Sequence, residues 1–452
     1  MLAPERKGAF LPKPYLSAAA QFAASNDTPR DLLERCLAAI AEFEPQIGAF
    51  VHLDIPAALQ AADRSTERWR AGRPLSPIDG MPIGIKDIIE TADMPTQMGS
   101  PLFDGYRSER DAASVVALRA AGAVILGKTV TTEFAASEPR GTRNPWDPRR
   151  TPGGSSSGSA AAVAAGMLST ALGTQVIGST IRPASYCGCV GFKPSVGALN
   201  RLGSHDYLSQ SCTGVLATTL EDAWQVAYEI AVRAGGDPGY PALSGPAQAP
   251  AAKKPQRLAF LETGGWSAAT ADAKQGMQDA LARFKAAGIE ILTRGSNAKV
   301  AAAETAIAGA WPVSTKINEW ESRWPLNIYR DRDANKLSKR MLDRLVHAEA
   351  MRPADYSLLL EEREMVRRIY AELASECDGC VTLSAPAAAP IGLHSTGDAA
   401  FAVAFSLLGV PAVSLPRLQD DGLPLGLQVT GFEQSDAATV AVAAWLGYAD
   451  AQ

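Results

Sequence analysis

The sequence has no long hydrophobic run, no excess of positive charge and few cysteines, and each shortage removes a class of protein. Its most apolar stretches, Ala160 to Leu168 and Val440 to Leu446, fall well short of the roughly 20 residues that a membrane-spanning helix requires. Met1 to Phe10 lacks the apolar segment of a secretory signal, so a soluble, cytoplasmic protein is expected. Lys and Arg number 43 against 48 Asp and Glu, a net charge of −5. No basic run with interleaved aromatics offsets that balance, which excludes nucleic acid as an expected partner. The six cysteines (Cys36, Cys187, Cys189, Cys212, Cys377 and Cys380) are too sparse for a disulfide framework and fit a reducing compartment. Cys377 and Cys380 have CxxC spacing, but zinc needs a second pair, and neither Cys187/Cys189 nor the four His supplies one. No metal is expected there.

What is present is ordinary globular material: 46% of the 452 residues are hydrophobic, ample for a large core. Arg30 to Phe43 places Leu32, Leu33, Cys36, Leu37 and Ile40 at amphipathic-helix spacing, with Thr28 as its cap. Ile83 to Ile89, Ala123 to Leu126 and the segment around Val190 are short apolar runs bounded by Gly or Pro, with helical stretches such as Ala112 to Ala121 between them. That alternation predicts α/β layers. Ala234 to Pro255, rich in Pro, Gly and Ala, reads as a surface connection. Helical periodicity then dominates from Ala268 to Ala374, before strand-like runs at Val381 to Leu383, Val413 to Pro416 and Leu425 to Val429.

Three segments carry chemistry. In Thr151 to Ala165, TPGGSSSGSAAAVAA, a Gly/Ser-rich loop runs straight into an Ala-rich helix, an arrangement suited to oxygen-rich or anionic groups. Gly153 and Gly158 have the GxxxxG spacing of a phosphate loop, but Ser159 stands where that motif needs Lys. Gly154 to Gly158 also satisfies G-x-S-x-G formally, with Ser156 as nucleophile and His394 or His347 as base. In so Ser/Gly-rich a run that match is cheap. In Leu172 to Arg182, LGTQVIGSTIR, the successive backbone N–H groups of Val176, Ile177, Gly178 and Ser179 are candidate donors to a developing oxyanion. In Gly80 to Asp87, GMPIGIKD, Lys86 ends an apolar strand-like run, where desolvation favours the neutral amine and makes it a candidate base. Read from that segment alone, a snorkelling surface Lys fits better.

Together these segments resemble the amidase signature family, through the run from Gly153 to Gly197, GGSSSGSAAAVAAGMLSTALGTQVIGSTIRPASYCGCVGFKPSVG. The likeness extends upstream through GMPIGIKD, Gly122 to Ala135 and Arg143 to Gly154, and resumes downstream at Gly409 to Pro416 and Gly422 to Val429. The resemblance implies a single α/β/α domain on a large mixed β-sheet, with a signature core at about 80–200 and a variable helical insertion at about 234–374. It implies Lys86 as base, Ser155 as a bridging serine after a cis peptide bond, and Ser179 as the nucleophile that forms an acyl-enzyme with no cofactor. The implied substrate is a small or aryl amide. Carbamates, urethanes and esters present a carbonyl to the same three side chains, and an ammonia-transferring amidotransferase subunit is the alternative of another class. A homodimer is the candidate assembly.

The departures from the family pattern are informative as well. Its GTD is Gly173-Thr174-Gln175 here, and Ile177 stands where a glycine is usual. Arg182 lies three residues after Ser179, as in malonamidase-like members, where an arginine so placed binds a substrate carboxylate. Arg182 is therefore either a clamp for an acidic substrate or half of a structural salt bridge. Ser156 and Thr180 are further candidates for contact with substrate, Ser156 with a supporting role in the loop that Ser157 shares. Ser296 to Lys299 fits SxxK without the motifs that should accompany it. The four His have no evident nucleophile to serve, and Glu133 and Arg143 read as structural.

Overall fold

In the computed structural model, which describes residues 10–136 and 138–448, eleven strands form one sheet. Of the stretch Met1 to Phe10, where no secretory signal is expected, residues 1–9 lie outside the described residues. In chain order the strands are β1 (Phe50–Leu53), β2 (Pro82–Lys86), β3 (Val124–Thr129), β4 (Thr170–Gln175), β5 (Val190–Lys193), β6 (Cys212–Ala217), β7 (Arg257–Phe260), β8 (Glu290–Leu292), β9 (Cys380–Leu383), β10 (Ala412–Asp420) and β11 (Leu423–Thr430). They are arranged β1-β3-β2-β4-β6-β5-β10-β11-β9-β7-β8. The sheet is mixed: β2 runs parallel to both β3 and β4, whereas β4–β6, β5–β6 and β10–β11 are antiparallel. This is the α/β fold expected.

Alternation along the strands separates two core layers. Ile125, Leu172, Val215 and Ala217 join one hydrophobic cluster, while Val124, Leu126, Ala171 and Leu216 join another, because successive side chains of a strand point to opposite faces. The first layer is covered by helices such as Leu220–Ala234 and Asp436–Tyr448, and the second by Pro29–Ile47, Ile55–Arg70, Ser157–Ala164 and Ile181–Cys187. Farther along the sheet, Ala259 and Leu292 face a third cluster with helices Ala298–Ile307 and Ala310–Asp333.

The local signals explain where elements start. Thr28 Oγ1 accepts from Asp31 N–H and caps Pro29–Ile47, which Gly48 ends with φ of 63°. Between helix Leu220–Ala234 and β7 the chain forms neither helix nor strand, as the Pro and Gly content requires. Between Ala268 and Ala374 helices dominate, as the periodicity indicates, with one short strand, β8, that pairs with β7 in parallel.

Candidate active site

Because β2 and β4 are parallel neighbours, the C-terminal ends of both open on the same edge of the sheet, where ligands of open α/β sheets bind. Lys86 is the last residue of β2, and the turn 176–180 follows β4 directly. The helix Ser157–Ala164 approaches from the side and carries the Gly/Ser loop with it. Its alanines are buried all round, so this short helix is wedged between sheet and outer helices. A Cβ on Gly173 would come within 2.8 Å of Ser156 Oγ, so the loop lies flush against β4 only because that strand residue is glycine.

Lys86 is fully buried and its Nζ donates to Ser155 Oγ at 2.7 Å and to Thr174 Oγ1 at 2.8 Å. Desolvation by burial lowers its pKa to about 7, against a smaller upward pull from Asp206. A neutral amine there has a lone pair to accept the Ser155 proton. The Gly154–Ser155 peptide is cis. Ser155 is itself buried, and its carbonyl accepts from Thr132 N–H at 3.2 Å.

Ser179 is 8% exposed and lines a cavity of about 500 Å³ together with Val176, Ile177, Gly178 and Arg182. Among the described residues the N–H groups of Val176, Ile177, Gly178 and Ser179 find no acceptor, a row of donors beside a hydroxyl at a cavity wall. Ser179 Oγ also has no hydrogen-bond partner among them; the tie to the Gly/Ser loop is a main-chain bond, Ser156 N–H to Ser179 O at 3.3 Å. The turn is shaped by Gln175. Its Oε1 accepts from Thr180 N–H (2.9 Å) and Ile181 N–H (3.0 Å), while its Nε2 donates to Ser406 Oγ (3.0 Å), which donates to Ile177 O (2.8 Å). An amide can accept on one side and donate on the other, which a carboxylate at this position cannot.

The remaining sequence candidates fall in different places. Arg182 reaches the cavity wall, but its guanidinium is held by main chain and one hydroxyl: Nη2 donates to Gly154 O (2.6 Å) and Thr396 Oγ1 (3.0 Å), Nη1 to Gly397 O (3.0 Å). It forms no ion pair within the described residues, and burial lowers its pKa. Ser156 Oγ donates to Thr174 O and accepts from Thr174 N–H, each at 3.3 Å, and so fastens the loop to β4. Ser157 Oγ donates to Val130 O. Thr180 is buried behind the turn, near enough to β6 that a Cβ on Gly214 would meet its Oγ1 at 2.4 Å, and it is not in the cavity wall. His205 and His347 do line the cavity, yet each is tied to a glutamate, Glu90 and Glu319 respectively. Glu133 is buried and accepts from Ser338 N–H.

Sequence reading missed Thr174, the second partner of the Lys86 amine, although it sits inside the GTQ segment. It also missed Asp206 and Asn318, buried polar residues of the cavity wall that belong to no motif.

Comparison with known proteins shows what the chain as a whole is similar to. The family model described as Amidase matches residues 31–440. A glutamyl-tRNA(Gln) amidotransferase subunit from Chloroflexus aggregans is 34% identical over 95% of each chain, and the corresponding subunit from Rhodopirellula baltica is 32% identical over 89% of each. Among solved structures, a crystal structure of an amidase superposes with a TM-score of 0.83 at 27% identity, covering 96% of this chain and 99% of its own. Native peptide amidase from Stenotrophomonas maltophilia gives 0.74 at 26% identity, covering 97% and 96%.

Proposed function

Since the chain belongs to the amidase family, whose members act on carbon–nitrogen bonds, we propose that it hydrolyses a small or aryl amide through a covalent acyl-enzyme on Ser179. The observation that carries this reading is the buried, carboxylate-free contact between Lys86 Nζ and Ser155 Oγ at 2.7 Å. Neutral Lys86 takes the proton of Ser155, Ser155 takes that of Ser179, and the Ser179 oxygen adds to the carbonyl carbon. The N–H groups of Val176 to Ser179 hold the oxyanion that forms. The proton then returns through Ser155 to the leaving nitrogen as the C–N bond breaks. Water, activated by the same relay, releases the acid and restores the hydroxyl of Ser179. Arg182, bonded to Gly154 O, holds the loop that presents Ser155. The chain is read as one domain, with the chemistry at about 80–200 and substrate choice set from about 234–374.

Carbamates and esters have the same electrophilic carbon, so a panel of an anilide, a carbamate, an ester and a dicarboxylic half-amide ranks these substrates directly. Turnover of none of them, with Ser179 unlabelled by a serine-reactive phosphonate, would sink the proposal. A second reading, an ammonia-transferring subunit, is favoured by the 34% identity to an amidotransferase component over nearly the whole chain. It predicts that glutamine is hydrolysed and that partner subunits co-purify, which the first reading does not.

A further inference from the structure

Buried polar groups in a native protein are almost always hydrogen-bonded, so those left without partners at a cavity wall point to what the cavity holds. Besides Arg182, whose Nε lacks a partner while both its Nη groups are bonded, two such residues share the cavity with Ser179. Asp206 is 5% exposed, and its Oδ2 is buried with no hydrogen-bond partner. Asn318, on the helix Ala310–Asp333, is 2% exposed, and neither its Oδ1 nor its Nδ2 has a partner.

The neighbours of Asp206 are engaged elsewhere. Arg201 pairs with Asp237 (2.5 Å) and gives its remaining bonds to the main-chain oxygens of Asp206 and Leu208. His205 is turned to Glu90. Arg344 bonds Ser322 Oγ and Asn318 O, and it feels Asp206 only through space. A carboxylate withdrawn from water with no hydrogen bond to its buried oxygen is costly unless something charged or N–H-rich meets it. Phe134, Trp311, Leu326, Tyr329 and Met341 supply apolar wall in the same cavity.

We propose that Asp206 is a specificity residue for a positively charged, N–H-bearing group, so that the preferred amide carries an ammonium or guanidinium joined to its carbonyl by an apolar linker. Asn318 offers one donor and one acceptor to a neutral polar group on that linker. This assignment rests on the proposed amide hydrolysis for its kinetic test but not for its binding test.

The kinetic test compares kcat/KM for a series of ω-amino fatty amides of increasing chain length with their des-amino counterparts. At one or more chain lengths the wild-type enzyme prefers the ammonium-bearing amide by about tenfold or more, the worth of one charged hydrogen bond. Asp206 also lies in the field of Lys86, so its removal alters both rates, and the ratio is the quantity to read. In Asp206→Asn that ratio falls to near unity; a preference that survives the substitution, or that never existed in the wild type, overturns the assignment. The binding test measures butylamine and hexylamine against butanol and hexanol by calorimetry, using the wild type and Asp206→Asn. Amines binding the wild type more tightly than the alcohols, by a margin that Asp206→Asn removes, supports the assignment, and equal binding overturns it. If the wild type hydrolyses no amide at all, the function proposed above fails, while the calorimetry still decides the role of Asp206.

Discussion

Lys86 and Lys128 stand on neighbouring strands, β2 and β3, and both are fully buried, yet their surroundings give them opposite tasks. Lys128 Nζ lies 3.2 Å from the buried Asp87 carboxylate and also donates to Thr96 Oγ1 and Pro95 O. Among the described residues Lys86 Nζ meets the hydroxyls of Ser155 and Thr174 and no carboxylate in contact. Desolvation lowers the pKa of both amines, but for Lys128 an adjacent carboxylate opposes it. Burial alone therefore does not make a lysine a base. What distinguishes the two is whether an anion in contact stabilises the proton.

The sharpest way to break this contrast is to remove each amine. Lys86→Met is expected to cut amide turnover by about 10⁴-fold, as is Ser179→Ala, with cooperative unfolding retained in both, because no buried charge loses its partner. Lys128→Met is expected to do the reverse. It leaves Asp87 buried and unpaired, at a cost of about 3–5 kcal/mol in urea unfolding, while folded protein keeps its turnover. Adding Asp87→Asn to Lys128→Met removes the stranded charge and recovers much of that loss. Equal loss of activity from both single variants would erase the distinction.

The next largest effect concerns the neutral amide of Gln175 that shapes the Ser179 turn. Gln175→Glu keeps an acceptor for Thr180 and Ile181 N–H but loses the Nε2 donor to Ser406. The Ser406 hydroxyl then turns toward the carboxylate and leaves Ile177 O without its bond, which costs about 1–3 kcal/mol. Thermal unfolding measures that cost, and a Tm equal to that of the wild type would show that the turn does not depend on the amide.

Part of this contrast was legible in the sequence. The Gly/Ser loop leading into an Ala-rich helix and the Thr28 cap each follow from local residue chemistry that packing preserves. The segment around Lys86 alone, by contrast, favours a snorkelling surface side chain, and the family resemblance is needed to assign it as base. Local sequence does not separate Lys86 from Lys128, which follows the short run Ala123 to Leu126 after one glycine, and only the pairing of β2 with β3 brings Asp87 against Lys128. Thr174 meets the Lys86 amine because β4 is the other parallel neighbour of β2, a relation across 88 residues. Asp206 and Asn318 follow no period or motif, and their importance arises from burial alone.

The smallest expected effect tests the contrast by degrees. If neutral Lys86 is the base, turnover rises with pH through about 7 and is flat above it, because protonated Lys86 cannot accept from Ser155. Stability follows the same proton. Between about pH 7 and the ordinary lysine range the unfolded chain holds that proton and the fold does not, so this group makes the protein more stable as pH rises. Asp206 pulls the Lys86 pKa upward from beyond contact distance, a weaker counterpart of what Asp87 does for Lys128. Asp206→Asn should accordingly move the acidic limb of the pH–kcat profile downward for a neutral amide, and Gln175→Glu, by adding an anion nearby, should move it upward. Opposite displacements in the two variants would mean that Lys86 titrates in that limb; a limb that stays in place in both would assign it to another group, and the base would have to be sought elsewhere.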